Sequence, residues 1–368
     1  MFFRNLFLFR IFPDMVEDIK RLEHVLDEHP LREVGPLELG TSGFVPPVGR
    51  DDEGYLTFNV GDCILLCFGR NEKLLPAAVV NDELQRRVHK IAEQEGRKVG
   101  GRERKRIKED LLTELLPRAF VRKSTAMAYI DLKHHWLVID TSSRKSAENV
   151  VSAIREALGS FPALPLAPEE SPRVLMTDWL GNGSFPAEFK LGSECELRDP
   201  ATSTGAKAKC TRQDLDSEEV KEHLRNGKQV FQLGLLFNER IDFVLGEDLA
   251  IRKLRFTDVV WDEWDANAKD DDAPLIDAQY ALMTLELRQL LGALDKLFGL
   301  HPDAPLRMHK QDAPEGMREA VRNLDRLASQ DGGAQLEDNQ GNVLATFGDR
   351  NEKAPGDVRK RAVSPVPS

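Results

Sequence analysis

The sequence predicts an α+β fold in more than one domain, with mixed antiparallel sheets and a helical arm. Three observations predict it. Strand-like and helix-like segments follow one another without the regular β-α-β alternation of a doubly wound sheet. Two dipeptides, Gly61-Asp62 and Asn238-Glu239, separate alternating apolar runs as hairpin turns do, so the strands around them run antiparallel. A length of 368 residues also exceeds what one hydrophobic core usually organises. A hydrophobic content of 41% beside 31% charged residues is that of an ordinary soluble chain. No apolar run approaches the roughly 18 residues a membrane helix needs.

Residues 2–12 carry Phe2, Phe3, Phe7, Phe9 and Phe12, but Arg4 and Arg10 interrupt them and no small-residue cleavage site follows. The stretch reads as a strand and not as a signal peptide. Asp14 is an N-cap for a helix to about residue 28, with Val16, Ile19, Leu22 and Leu26 at helical spacing. A turn-rich connection at 43–49, rigid at Pro46-Pro47, leads to strands at 55–60 and 63–70. Pro76 opens a helix to about residue 95, and Gly96 and Gly100-Gly101 allow a break before a second helix at about 102–116, ended by Pro117. Strands follow at 120–131 and 136–140, then a helix at 144–158 with Ala147, Val150, Val151, Ile154 and Leu158 on one face.

The proline-rich connector 159–168 is the clearest internal boundary. Beyond it the pattern reads as strands near 174–180 and 194–198, then a polar segment at 199–216 with Lys207, Lys209 and Arg212. A short helix at 217–225 follows, capped by Ser217. A hairpin at 228–237 and 240–245, a third strand at 250–256 and an amphipathic helix at 277–298 complete the folded part. From His301 onward apolar residues thin out, which reads as a mostly disordered tail with at most one marginal helix at 315–327.

Net charge is −11, yet the charge is unevenly spread. Residues 82–123 hold 13 Lys and Arg against 8 Asp and Glu, about +5, leaving about −16 for the rest. Residues 242–277 hold 11 acidic against 4 basic residues, about −7. Phosphate binding depends on where the positive charge sits and not on the total, so an acidic chain with a basic arm is compatible with nucleic acid. Two solvated helix faces are the other reading of the same counts.

Signatures of catalysis are scarce. There is no Gly-x-x-x-x-Gly-Lys-Ser/Thr loop, no Gly-x-Gly-x-x-Gly after a strand and no Gly-x-Ser-x-Gly elbow. Cys63, Cys67, Cys195 and Cys210 do not suggest a disulfide framework, Cys63 and Cys67 read as buried, inert thiols, and the compartment reads as reducing. His134-His135 sits in a turn without further metal ligands nearby. The carboxylates Asp262, Glu263, Asp265 and Asp270-Asp271-Asp272 read as a solvated loop, not as a two-metal nuclease centre. No cofactor, no metal and no enzymatic activity are expected.

Eight segments, in order and at consistent spacing, resemble the RdgC family of bacterial recombination-associated proteins. They are Gly43-Phe-Val-Pro-Pro47, Glu72-Lys-Leu-Leu-Pro76, Leu115-Leu-Pro-Arg-Ala-Phe120, Leu158-Gly-Ser-Phe-Pro162, Arg212-Gln-Asp-Leu-Asp-Ser-Glu-Glu219, Arg240-Ile-Asp-Phe-Val244, Lys253-Leu-Arg-Phe256 and Leu282-Met-Thr284. The resemblance covers about residues 1–300. It implies a homodimer closed into a ring around double-stranded DNA, with a basic inner wall and an acidic exterior. It also implies sequence-nonspecific, non-enzymatic binding that restrains RecA-dependent recombination by occupying the DNA, in the cytoplasm at the nucleoid. Single-stranded DNA stays open as a further ligand.

On this pattern the expected organisation is a central α+β domain (1–75 and 124–190), a basic helical arm (76–123), a finger-like projection (191–227), strands with a C-terminal helix (228–300) and the tail (301–368). Arg97 and Arg118 match basic residues near the hole, and Lys98 stands beside Arg97 to contact phosphate. Phe120 matches an aromatic of ring closure or DNA contact, and Arg212 with Gln213 match the tip of the finger. Each has a plainer alternative. Arg118 is also a helix C-terminal cation favoured by the dipole, Phe120 a core strand residue, and Gln213 a cap of the helix near Ser217. A magnesium-dependent nuclease and a recombinase-binding scaffold without DNA contact are the competing functions.

Overall fold

The computed structural model describes residues 2–48, 54–201, 205–267 and 274–300, together with two strands at 334–337 and 343–347. The acidic run 270–272 and the helix expected at 315–327 lie outside the described residues. Residues up to 304 form one compact unit and the remainder a second.

In chain order the strands of the first unit are β1 (Leu6–Arg10), β2 (Gly40–Val45), β3 (Thr57–Val60), β4 (Cys63–Leu74), β5 (Phe120–Asp131), β6 (Trp136–Asp140), β7 (Leu164–Pro165), β8 (Phe189–Arg198), β9 (Lys207–Thr211), β10 (Gln229–Phe237), β11 (Ile241–Gly246) and β12 (Ile251–Phe256). The helices are α1 (Val16–Lys20), α2 (Leu22–Leu26), α3 (Ala77–Glu95), α4 (Gly101–Leu115), α5 (Arg144–Leu158), α6 (Pro172–Asn182), α7 (Glu218–Arg225), α8 (Asp258–Asn267) and α9 (Pro274–Phe298). All twelve strands join one sheet, ordered β2-β4-β5-β6-β1-β12-β11-β10-β8-β9, with β3 on β4 and β7 on β1. Every pairing in it is antiparallel.

Strand geometry sends successive side chains to opposite faces, and the middle strands feed a separate core on each side. Leu6, Leu8, Cys63, Leu65, Tyr129, Trp136 and Val138 enter one core. Their neighbours Ile64, Leu66, Ala128, Ile130, Leu137 and Ile139 enter the other. α6 and α9 cover the first through Met176, Trp179, Met283, Leu287 and Leu294. α1, α2 and α5 cover the second through Ile19, Leu22, Leu26, Val150 and Ile154. The run Cys63-Ile-Leu-Leu-Cys-Phe68 of β4, expected to alternate, is buried throughout, because both faces of the strand are covered.

Three arginines fasten α9 to the sheet. Arg288 lays its fork on the buried carboxylate of Asp131, 157 residues away, at 2.5 and 3.0 Å. Arg10 pairs with Asp295 at 2.6 Å, donates to the Leu300 carbonyl at 3.0 Å and lies over the Trp136 ring. Arg240, directly after the Asn238-Glu239 turn, grips Glu286 of α9 and Glu263 of α8. The two turn residues have φ of 47° and 60°, as a two-residue hairpin turn requires.

Several expectations need correction. Residues 174–180 form part of α6 and not a strand: Pro172 occupies the first turn, Met176, Trp179 and Leu180 are buried at helical spacing, and Gly183 ends the helix at φ +67°. Asp262, Glu263 and Asp265 lie on α8 and not in a loop, because Val260 is anchored in the core beside them. The single helix expected after Asp14 is two short ones that break at Arg21. Part of the polar segment 199–216 is strand β9. Ser217 stands at the N-cap of α7 but makes no capping bond. The connector 159–168 is no boundary, since Phe161 and Ala163 are buried in a core and β7 pairs with β1.

In the second unit, Ala334–Glu337 and Val343–Phe347 pair antiparallel, where a tail with at most one helix was expected. Leu336, Val343 and Phe347 supply strand propensity, and the intervening sequence contains Asn339-Gln340-Gly341-Asn342.

Candidate nucleic-acid interface

α3 and α4 make a helical hairpin that stands on its own small core of Val80, Leu84 and Leu111, with Val88, Ile107 and Leu115 beside it. The interhelical ion pair Arg87–Glu114, 2.7 Å, adds to it. The apolar residues Ile107, Leu111 and Leu115 recur every four positions, which turns that stripe toward α3 and leaves the rest of α4 to solvent. Arg102, Arg104, Lys105, Arg106 and Lys108 are all exposed. Of these, Lys105 alone has a carboxylate within ion-pair distance among the described residues, Glu109 at 3.9 Å. The arm therefore presents concentrated, uncompensated positive charge, the electrostatic condition for gripping phosphate.

The turn at the arm's tip places the first two expected contacts. Gly96 ends α3 at φ +62°, which a glycine adopts without strain, and swings the chain back. Lys98 is exposed and makes no ion pair among the described residues. Arg97 is exposed but engaged: its Nε donates to Glu95 at 2.6 Å, and its two terminal nitrogens donate to Glu103 at 2.6 and 2.7 Å. Those bonds hold the Glu103 carboxyl below its ordinary value and push Arg97 further above its own.

At the arm's base, Arg118 closes the short turn of 3-10 helix after α4, is exposed, and lies within electrostatic reach of Glu114. Phe120 opens β5 and is 83% exposed, so it is not a core residue. It stands opposite Leu74, and Leu74 and Val121 are exposed with it. β5 pairs with β4 along its full length but with β6 only from Ala128 to Asp131. Among the described residues, 120–127 thus has one edge without a strand partner. Arg122 on this edge is held by Glu72 at 2.8 Å, while Lys123 is exposed and free of ion pairs among the described residues. The sequence gives Lys123 no role of its own; its place at the end of the basic stretch 82–123 is its signal.

Arg212 follows β9 with φ +56°, exposed and without an ion pair among the described residues. Gln213 is half-buried: its N–H donates to the Ser193 carbonyl at 3.1 Å, and its side-chain amide donates to Glu219 in the first turn of α7 at 2.9 Å. Lys207 and Lys209 are exposed on the same strand.

These residues occupy three separate places in one chain. The arm tip lies about 21 Å along α4 from its base, at 1.5 Å per residue. β5 and β9 are seven strands apart in the sheet, about 34 Å at the usual inter-strand spacing. Among the described residues, no group of three or more His, Cys, Asp or Glu is placed to hold a metal ion, and no helix is long and apolar enough to cross a membrane. The turn histidine His134 instead contacts Asp131 at 3.1 Å.

The family model described as "Putative exonuclease, RdgC" matches residues 1–301. "Recombination-associated protein RdgC" from Xanthomonas campestris pv. campestris is 48% identical over 295 residues, which is 80% of this chain and 97% of that protein. The proteins of the same name from Xanthomonas axonopodis pv. citri and Xylella fastidiosa are 47% and 48% identical over the same shares. The second unit falls beyond the matched residues. By the extent and identity of these matches, the chain belongs to the RdgC family of recombination-associated proteins.

Proposed function

We propose that this chain binds double-stranded DNA without sequence preference, as a ring-shaped homodimer, and restrains RecA-dependent recombination by occupying the DNA. It would act in the cytoplasm at the nucleoid. The observation that carries the reading is the arm, where Lys98, Arg102, Arg104, Arg106 and Lys108 stand exposed without carboxylate partners among the described residues. Cations free of internal partners release condensed counterions when they meet phosphate, and that release supplies sequence-independent affinity. Arg118 at the arm's base and Arg212 beyond β9 extend the positive surface. Arg97 contributes by exchanging Glu103 for a phosphate oxygen.

Counted strand by strand along the sheet, β5 and β9 are about 34 Å apart in one chain. A ring of two copies would bring the basic points on them around a common duplex. The free edge of β5 with Phe120, Leu74 and Val121 supports self-association, because an unpaired strand edge beside exposed apolar side chains is a template for a second chain.

The family description names an exonuclease, and a magnesium-dependent nuclease is therefore the competing reading. Incubation of closed circular plasmid with the full chain and magnesium separates the two. Retardation of the intact circle is expected; nicked or shortened DNA would establish hydrolysis. Inhibition of recombinase without any DNA retention would instead favour the scaffold reading.

A further inference from the structure

Two of the four cysteines meet across a strand pair. Cys195 of β8 stands directly opposite Cys210 of β9. Opposed residues of an antiparallel ladder have Cα atoms about 4.5–5.5 Å apart, inside the roughly 4.4–6.8 Å window of disulfides. Both side chains point to the core face, where Cys195 is 3% exposed and Cys210 is half-buried against the same cluster. The two thiols stand close enough for each to feel the other electrostatically. Cys63 and Cys67 offer no such meeting: they lie four residues apart on β4, opposite Asp131 and Met127.

We propose that Cys195 and Cys210 form a reversible dithiol–disulfide pair that crosslinks the β8–β9 hairpin when the protein meets a peroxide. Cys210 is the more exposed of the two and is the thiol that reacts first. Its thiolate attacks one peroxide oxygen, the O–O bond breaks, and hydroxide leaves and takes up a proton, giving a sulfenic acid and one water. The Cys195 sulfur then attacks the Cys210 sulfur, the S–O bond breaks, and a second water departs with the Cys195 proton. Two thiols have lost two electrons and two protons to the peroxide. Burial, reinforced by the neighbouring Cys210, pushes Cys195 up to about 12, which keeps it a thiol while Cys210 meets the peroxide.

The crosslink has a defined structural consequence. Among the described residues, β9 is the last strand of the sheet and pairs with β8 alone. A bond between Cys195 and Cys210 fixes that edge strand two residues before Arg212. A labile strand edge would become a covalently held one, restored by any small thiol that exchanges with the disulfide.

The test uses the full chain. It is treated with hydrogen peroxide, its remaining thiols are alkylated after denaturation, and it is digested with and without a reducing step. The expected result is a peptide pair joined through Cys195 and Cys210, lighter by two hydrogen atoms and released by dithiothreitol, with Cys63 and Cys67 alkylated. Cys210→Ser, at the half-exposed position, should abolish the linked pair and leave Cys195 alkylatable. Hydrogen exchange of β9 should slow on oxidation of the parent chain and recover on reduction, with no change in Cys210→Ser. Recovery of Cys195 and Cys210 as free thiols, or a sulfinic acid at Cys210 beside an intact Cys195, would overturn the proposal. So would unchanged exchange of β9. None of these readouts involves DNA, so they stand or fall separately from the binding function.

Discussion

Arg97 closes the arm's tip by laying both terminal nitrogens on Glu103, at 2.6 and 2.7 Å. A planar fork on a carboxylate is also the geometry by which arginine takes a phosphate, so under the proposed function a phosphate would displace Glu103. Replacing Glu103 by Gln should loosen the two terminal nitrogens while Nε stays on Glu95, tighten duplex binding and steepen the log–log salt dependence by up to about 0.9. The same change in an Arg97→Ala background should leave the slope where it was. Filter binding over a salt series checks both arms of the cycle.

Lys98 and Arg118 have no carboxylate within ion-pair distance among the described residues. Substituting each by Ala should flatten the salt slope by about 0.9 per lost contact and weaken all duplexes alike. Competition between two unrelated duplexes reads the second effect. Loss for one sequence alone would identify a base contact.

Phe120 of β5 and Leu74 of β4 face each other, exposed, where the other edge of β5 has no strand partner among the described residues. Phe120→Ser should weaken self-association by roughly 2 kcal/mol or more, as loss of an aromatic interface anchor does. Sedimentation equilibrium measures this, and thermal unfolding of the isolated chain should hardly change because the side chain lies outside the core.

Asp131 is buried under Arg288. Burial pushes its carboxyl up, but the Arg288 fork, the His134 N–H and the nearby positive charge outweigh it and hold the group below the ordinary value. A carboxyl depressed in the folded state stabilises the protein above its unfolded pKa, about 3.9. That contribution is lost as pH falls through the folded value. Asp131→Asn should cost roughly 3–5 kcal/mol at neutral pH, because it leaves Arg288 without its charge partner. It should also remove part of the fall in urea midpoint below about pH 4.

Much of this architecture was legible because period and punctuation agreed. Residues 120–131, 136–140 and 144–158 read from the sequence with the bounds the structure has. α6 was not, since its apolar residues crowd a short run that a strand would share, and only packing of Trp179 and Met176 decides. The positive arm was visible as charge counts. The engagement of Arg97 was not, because Glu95 and Glu103 converge only after Gly96 turns the chain. The Cys195–Cys210 register and the Arg288–Asp131 pair depend on sheet order, which a single sequence does not display.

The most direct test of duplex binding by uncompensated charge is the salt dependence of affinity for two duplexes of unrelated sequence. The two lines should coincide and fall steeply, with a slope of about −0.9 for each phosphate neutralised, several in all. A flat response, or two lines separated by more than about tenfold, would contradict sequence-independent electrostatic binding.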